Sequence, residues 1–282
     1  MIQEIFNLYR ETLPDIIRNE CTVKKILSDE SNHVICVRDN DKLIGVSVVK
    51  DNVVYLLCVD KGFQRRGIGM QLLRQSEEHI ASNGFTKVII GAGNEYIMPG
   101  IPMNKGAHNF FAKRGYTHAW GDEGCFDMSQ SLATFEYSES IGDTINSITY
   151  RWAKLSDLDN VLKCVADAEE SFVQYYRDKQ LYEQGGNISV LVAEKDGEIL
   201  GTLHVGMNVE AEGLGSVGCT ATMHKHRGQG IAGTLVKLGT KHLKNAGLEK
   251  AFLGYTYTYI LNIYGRAGYK ISMGYFMGEK TL

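Results

Sequence analysis

The sequence predicts a mixed α/β protein made of two copies of one unit, each a mixed, mostly antiparallel sheet with helices on both faces. Three observations carry that expectation. Two hairpin-like segments of the same plan lie 156 positions apart, ending at Gly45 and Gly201. Two glycine turns that open helical patterns lie 163 apart, at Gly67 and Gly230. Both helical patterns then close at a glycine, Gly84 and Gly247, again 163 apart. Repetition over so long a period denotes tandem domains, and 282 residues suit two domains of roughly 100–200 residues each.

Taken in order, the first copy opens with a helical pattern expected over residues 5–18, with no strand before it. The second opens with strand-like Ser147-Ile148-Thr149-Tyr150-Arg151. The hairpins follow at 34–45 and 190–201, the second with the strong turn dipeptide Asp196-Gly197. A further strand comes next in each copy, at 53–59 and 217–222. After the glycine turns, apolar residues Ile68, Leu72, Leu73 and Ile80 recur at helical spacing, as do Ile231, Leu235, Leu238 and Leu243. Gly84 and Gly247 suit left-handed C-terminal caps. Strands are expected at 87–91 and 250–254. Phe111-Ala112-Lys113-Arg114-Gly115-Tyr116 then matches Tyr264-Gly265-Arg266-Ala267-Gly268-Tyr269 at an offset of 153, which places a ten-residue insertion within 95–105. That insertion holds Pro99 and Pro102 and is expected to be rigid enough to wall a pocket. The domains are read as 1–131 and 147–282, joined by a polar linker at 132–146.

Composition narrows the function classes. Hydrophobic residues make up 44% and charged residues 22%, as in folded proteins, which excludes disorder over most of the chain. The net charge is −3, with 15 basic and 18 acidic residues before position 141 and 15 of each after it. Neither half has the basic excess of a nucleic-acid or anionic-membrane binder. The apolar run at 53–59 is far short of the ~20 residues of a spanning helix, and the N-terminus lacks the pattern of a signal peptide. Six cysteines stand singly at 21, 36, 58, 125, 164 and 219, which reads as reduced thiols of a cytoplasmic protein.

The glycine turns carry the chemistry. A turn closing into a helix N-terminus leaves several backbone N–H groups unpaired, and with the helix dipole they form a site for a phosphate or pyrophosphate. Glycine at 67 and 69, or glycine and alanine at 230 and 232, keeps side chains out of that approach. Gln64 or Arg227 at the start of the turn either ties it down or adds a donor. The nucleotide loop GxxxxGK[ST] is absent, and Gly67-Ile68-Gly69 lacks the third glycine of the dinucleotide fingerprint. A tight strand-to-helix connection alone would also use these glycines; their occurrence twice, each after a strand and before a glycine-capped helix, favours anion binding.

The succession strand, [QR]xxGx[GA], helix, strand, and a helix ending in Tyr-x-x-x-Gly-Tyr resembles the GNAT acetyltransferase superfamily in two tandem copies, over nearly the whole chain. The resemblance implies acetyl-CoA as co-substrate and no metal. It implies that coenzyme A is bound by Val59, Gln64, Arg65, Arg66, Gly67, Ile68, Gly69 and Asn104 in the first copy. In the second it is bound by Thr222, Arg227, Gly228, Gln229, Gly230, Ile231 and Ala232. The thioester would lie between two splayed parallel strands, and acetyl would pass directly to an amine of a small molecule or peptide. A backbone N–H would stabilise the charge growing on the carbonyl oxygen, and Tyr264, at the family's tyrosine place, would give a proton to the departing thiolate.

Each copy departs from the pattern somewhere. The first has Phe111, without a hydroxyl, at the place of Tyr264, yet keeps the Asn104-x-x-Ala107 spacing; the second has Tyr257 and Ile260 there. An acidic general base is missing from the presumed central strands. Asp60 sits at the rim of one, and Glu210 and Glu212 read as solvated loop charges, so a water-relayed base or a neutral amine suits better. His224 and His226 read as surface residues. Tyr255, Tyr257 and Tyr259 either line the acceptor side or pack at a strand end. Two other classes compete with the enzyme. A non-catalytic acyl-CoA-binding or regulatory protein is favoured by Phe111 and the missing base and opposed by Tyr264. Aminoacyl transfer from charged tRNA sits poorly with the charge of −3.

Overall fold

The computed structural model describes residues 1–91, 96–119, 124–183 and 185–282. The chain forms two compact units, one of Met1–Phe126 with Met273–Leu282 and one of Asp127–Ser272.

The first unit begins with α1 (Ile2–Thr12) and α2 (Glu20–Leu27). α1 ends well before residue 18 because Leu13 leaves helical geometry ahead of Pro14. The hairpin β1 (His33–Asp39) and β2 (Lys42–Lys50) leads to β3 (Val53–Val59), α3 (Ile68–Ser82) and β4 (Lys87–Ile90). Short β5 (Ile101–Pro102), α4 (His108–Ala112) and β6 (Thr117–His118) follow. The sheet runs β1-β2-β3-β4-β15-β6, where β15 (Gly278–Thr281) is the last strand of the chain. Only the β3/β4 pair in it is parallel. Seven consecutive residues of β2, from Leu43 to Val49, are buried, so both faces of the sheet are covered. The insertion of the first copy, whose Glu95 lies outside the described residues, is packed inward. Ile97, Met98 and Ile101 are buried, and Ile101–Pro102 pairs with Tyr275–Phe276.

The second unit comprises β7 (Cys125–Ser131) from Asp127 onward, β8 (Thr144–Ile145), β9 (Ile148–Trp152), α5 (Leu158–Ala168), α6 (Val173–Tyr176), β10 (Ile188–Lys195), β11 (Glu198–Met207), β12 (Leu214–Thr222), α7 (Ile231–Asn245), β13 (Lys250–Tyr257), α8 (Leu261–Gly265) and β14 (Lys270–Phe276) up to Ser272. Its strands run β7-β13-β12-β11-β10-β9-β8. Alternation along β10 decides the layers. Leu191 and Ala193 pack in a core with Leu235, Val236 and Leu243 of α7, whereas Val190 and Val192 pack with Val161, Cys164 and Val165 of α5. The segment 132–146, expected as a linker, belongs to this unit. Leu132 and Phe135 are buried in its α7-side core, and Thr144–Ile145 pairs with β9. Two apolar anchors in a polar stretch are enough to dock it.

Local sequence signals explain the turns. Asp196 and Gly197 both have positive φ, +51° and +80°, and join β10 to β11 as the two-residue hairpin connection. α3 and α7 end in the same way. Gly84 and Gly247, both at φ +83°, donate to Ala81 and Lys244, and the next residues, Phe85 and Leu248, donate to Ile80 and Leu243. That paired pattern satisfies the last carbonyls of each helix.

Candidate active site

The two glycine turns are built alike. A short 3-10 turn, Lys61–Phe63 in one unit and His224–His226 in the other, leads into Gln64 and Arg227 in extended conformation. Gln64 Nε2 donates to the carbonyl of Val59 at 3.0 Å, and Arg227 Nε donates to that of Thr222 at 3.3 Å. Arg227 also reaches the Ala168 carbonyl at 3.0 Å. These side chains therefore brace the turn against the end of the preceding strand. Gly67 and Gly230 stand at the helix N-caps with φ of +88° and +80°. The first backbone bonds of the helices are Gln71 N–H to Gly67 and Thr234 N–H to Gly230, so the amides of Ile68 and Gly69, and of Ile231 and Ala232, are left for a ligand. A Cβ built on either N-cap glycine meets no atom within 4 Å, so the space over each turn is open. One difference is that Gly228, at φ +80°, is matched in the first unit by Arg65 at φ +63°.

Beside each turn, two parallel strands separate. β3 and β4 pair at Val53 with Ile89 and at Val54 with Ile90, and β3 then continues to Val59. β12 and β13 pair from Leu214 with Lys250 to Ser216 with Phe252, and run on to Thr222 and Tyr257 without further register. Within this splay β12 carries a bulge: Thr202 faces Ala221 and His204 faces Gly218, so Cys219 and Thr220 stand opposite the single residue Leu203. Cys219 has φ +46°, and on the other edge of the cleft Tyr255 has φ +56° with its N–H donated to Asp127 Oδ1 at 3.1 Å. In the first unit the β3 bulge lies nearer the strand start, at Tyr55, and involves no positive φ.

Two family models, both of GNAT acetyltransferase domains, match the chain, one over residues 3–131 and one over 152–270. The chain belongs to the GNAT acetyltransferases. It is an acyltransferase by family, and acetyl transfer is the family's chemistry. Three solved structures similar to it are described as N-acetyltransferases or as a GNAT protein. One is the glucosamine N-acetyltransferase region of a fungal multi-domain GH3 β-N-acetylglucosaminidase, 19% identical with a TM-score of 0.78. It covers 99% of this chain, which spans only 36% of that longer one. A GCN5-related N-acetyltransferase from Sphaerobacter thermophilus is 18% identical over 99% of this chain and 91% of its own, with a TM-score of 0.70. A tandem GNAT protein from the clavulanic acid biosynthesis pathway is 16% identical over 99% and 94%, with a TM-score of 0.68. At these identities the likeness is one of fold. No curated protein sequence matches the chain.

On this GNAT frame the two units differ at the tyrosine position. Tyr264 on α8 is buried, and its hydroxyl lies 2.8 Å from Thr220 Oγ1 on the bulge of β12. Burial pushes its hydroxyl up to about 12 from an ordinary 10, because the phenolate would lose its hydration. The proton is therefore held throughout the working range, and kcat is expected to show no alkaline fall from Tyr264 near pH 10, where an ordinary tyrosine titrates. A fall centred near 10 that disappears in Tyr264→Phe would contradict this. Phe111, its counterpart on α4, is buried edge-on between Phe110 and Tyr116. Asn104 is exposed, donating to Asp15 Oδ2 at 3.2 Å beside Lys105.

Asp60, His224 and His226 near the turns each face a partner. Asp60 caps the 3-10 turn through Gly62 N–H and pairs with Lys42 at 2.7 Å; the Lys42 hydrogen bond, with the Gly62 one, holds its carboxyl below the ordinary range. His224 faces Asp167 and His226 faces Glu198, and among the described residues no group of three or more His, Cys, Asp or Glu could hold a metal. Glu212 is exposed on the loop after β11. Tyr255, Tyr257 and Tyr259 form a ladder, the last two stacked with centroids 5.7 Å apart. Sequence reading missed Thr220, Cys219 and Asp127. Thr220 and Cys219 lie in the run Gly218-Cys219-Thr220, where the glycine inside the strand was the available bulge signal.

Proposed function

We propose that the protein transfers an acetyl group from acetyl-CoA to an amine of a small molecule or peptide, and that the second unit performs the transfer in the cytoplasm. The observation that carries this is the Tyr264 hydroxyl set against Thr220 inside the splay of β12 and β13. Acetyl-CoA, when bound, supplies an activated acyl carbon and a thiolate leaving group. The open turn at Gly230 suits its pyrophosphate, with the amides of Ile231 and Ala232 and the helix dipole as the anion site. Arg227 and Gln229 border that site, and Gly228 leaves it unobstructed. Thr222 at the strand end leads the arm into the splay. There a β12 backbone N–H meets the negative charge growing on the carbonyl oxygen. Tyr264, which holds its proton, donates to the departing sulfur. The acceptor enters as the neutral amine or loses its proton through a relayed water, since Asp60 is tied in a cap and an ion pair and Glu212 stands exposed on a loop.

The first unit is read as a coenzyme A holder without turnover. Gln64, Arg65, Arg66, Gly67, Ile68 and Gly69 shape an equivalent turn after Val59, Asn104 is the further coenzyme A contact proposed for this unit, and Phe111 brings no proton. Thermal-shift measurement separates this reading from nucleotide binding. Acetyl-CoA at 100 times its Kd adds about 2.7 kcal/mol, and each kcal/mol raises the midpoint by roughly 2–4 °C in a protein of this size. A rise of several degrees with acetyl-CoA and none with ATP or NAD is expected. No rise with acetyl-CoA beside a clear one with ATP or NAD would overturn the reading.

A further inference from the structure

The second unit contains a buried polar cluster on the α5 side of its sheet that the transfer chemistry above does not use. Tyr176, the last residue of α6, is fully buried, and its hydroxyl donates to the carbonyl of Cys219 at 2.5 Å. Thr202 Oγ1 donates to the same phenolic oxygen at 2.9 Å. The His204 ring packs on Tyr176 with centroids 4.2 Å apart, and burial pushes that imidazole down to about 4, so it is neutral. Tyr176, Thr202 and His204 thus gather at the Cys219 bulge, where β12 departs from its register.

We propose that Tyr176 is a positioning residue for acyl transfer, fixing the Cys219–Thr220 peptide so that the Thr220 N–H is the donor aimed at the thioester carbonyl. The inference rests on the acetyl-CoA reading above. Its argument is geometric. No cis peptide occurs among the described residues, and in a trans peptide the C=O and the following N–H point in opposite directions. Tyr176 draws the Cys219 carbonyl toward the α5 side. The Thr220 N–H therefore points away from it, and the Thr220 hydroxyl meets Tyr264, which packs in the α7-side core. A non-glycine residue at φ +46° is unfavourable without a tie, and the phenol supplies one. Thr202 fixes the direction of that phenol, because the proton it donates leaves the Tyr176 proton for Cys219. The first unit has no such clamp. At the matching offsets Val46 stands for Thr202 and Leu56 for Cys219, and its bulge lies elsewhere.

Tyr176→Phe tests this by removing one oxygen and keeping the ring. The expected result is a fall in kcat of about 10–10²-fold, with KM for acetyl-CoA within about twofold, since a donor is misaimed and not deleted. Thr202→Val is expected to lower kcat by about 3–10-fold and Thr202→Ser to restore it, which keeps a readout if the phenylalanine variant is poorly folded. Tyr182→Phe removes a hydroxyl donated to the Tyr176 backbone carbonyl without touching the bulge, so it is expected to lower thermal stability and leave kcat unchanged. The direct readout is the infrared stretch of a ¹³C-labelled carbonyl in bound S-(2-oxopropyl)-coenzyme A, an inert ketone in place of the thioester. In the unaltered protein it should lie below its value in water, and in Tyr176→Phe it should move back toward that value. An unchanged stretch in Tyr176→Phe, or an equal loss of kcat in Tyr182→Phe, would overturn the assignment. If the unaltered protein does not bind the ketone, the acetyl-CoA reading itself fails and takes this inference with it.

Discussion

Gly230→Trp is expected to abolish turnover, lowering kcat/KM by at least about 10²-fold, while Gly67→Trp leaves most of it. Both glycines sit at a helix N-cap in the left-handed region, and both have open space where a side chain would project. The backbone strain of a non-glycine residue there, roughly 1–2 kcal/mol, is common to both variants. Their thermal midpoints should therefore fall alike. What differs is what the indole covers. Over Gly230 it occupies the approach to the proposed anion site of the second unit, and misplacing a substrate by even about an ångström costs on the order of 10²-fold. Over Gly67 it covers a turn whose unit offers Phe111 in place of a proton donor. Initial rates of free-thiol release, with circular dichroism to show both proteins folded, decide the matter. Loss in Gly67→Trp with activity kept in Gly230→Trp would assign the chemistry to the first unit.

Tyr264→Phe is expected to lower kcat by about 10²–10⁴-fold with little change in acetyl-CoA affinity. The phenol is buried and holds its proton, with Thr220 Oγ1 as its partner, so the substitution removes a donor and keeps the ring that fills the α7-side core. In the proposed reading binding is governed by the turn, which this substitution leaves unaltered. A parallel rise in KM with kcat retained would mean that Tyr264 only shapes the cleft.

The repeat, the turns and the helix ends were legible in the sequence because each is local. Asp196-Gly197, Gly84 and Gly247 require positive φ, and residues that accept it cheaply occupy those places. The splay of β12 from β13 was expected only from family resemblance. Other features depend on residues distant in sequence. The Cys219 carbonyl accepts from Tyr176, 43 positions away, and although Gly218 inside the strand hints at a bulge, nothing in Gly218-Cys219-Thr220 announces that partner. Two stretches are placed by packing and not by local pattern. Residues 132–146 are polar overall, but Leu132 and Phe135 bury in the second unit. The second copy was read as running to residue 282, but the last strand of the chain pairs with β4 and β6 in the first unit. Such strand ownership depends on which open sheet edge is available, which no local pattern encodes.

The measurement that tests the central claim most directly is the mass of a panel of small amines and amino-terminal peptides after incubation with [¹³C]acetyl-CoA, read beside free thiol. The account predicts at least one acceptor that gains one labelled acetyl as an amide, with one thiol released for each, in wild-type protein and in Gly67→Trp but not in Gly230→Trp or Tyr264→Phe. Thiol release at a rate independent of any amine, with the label recovered as acetate, would contradict it.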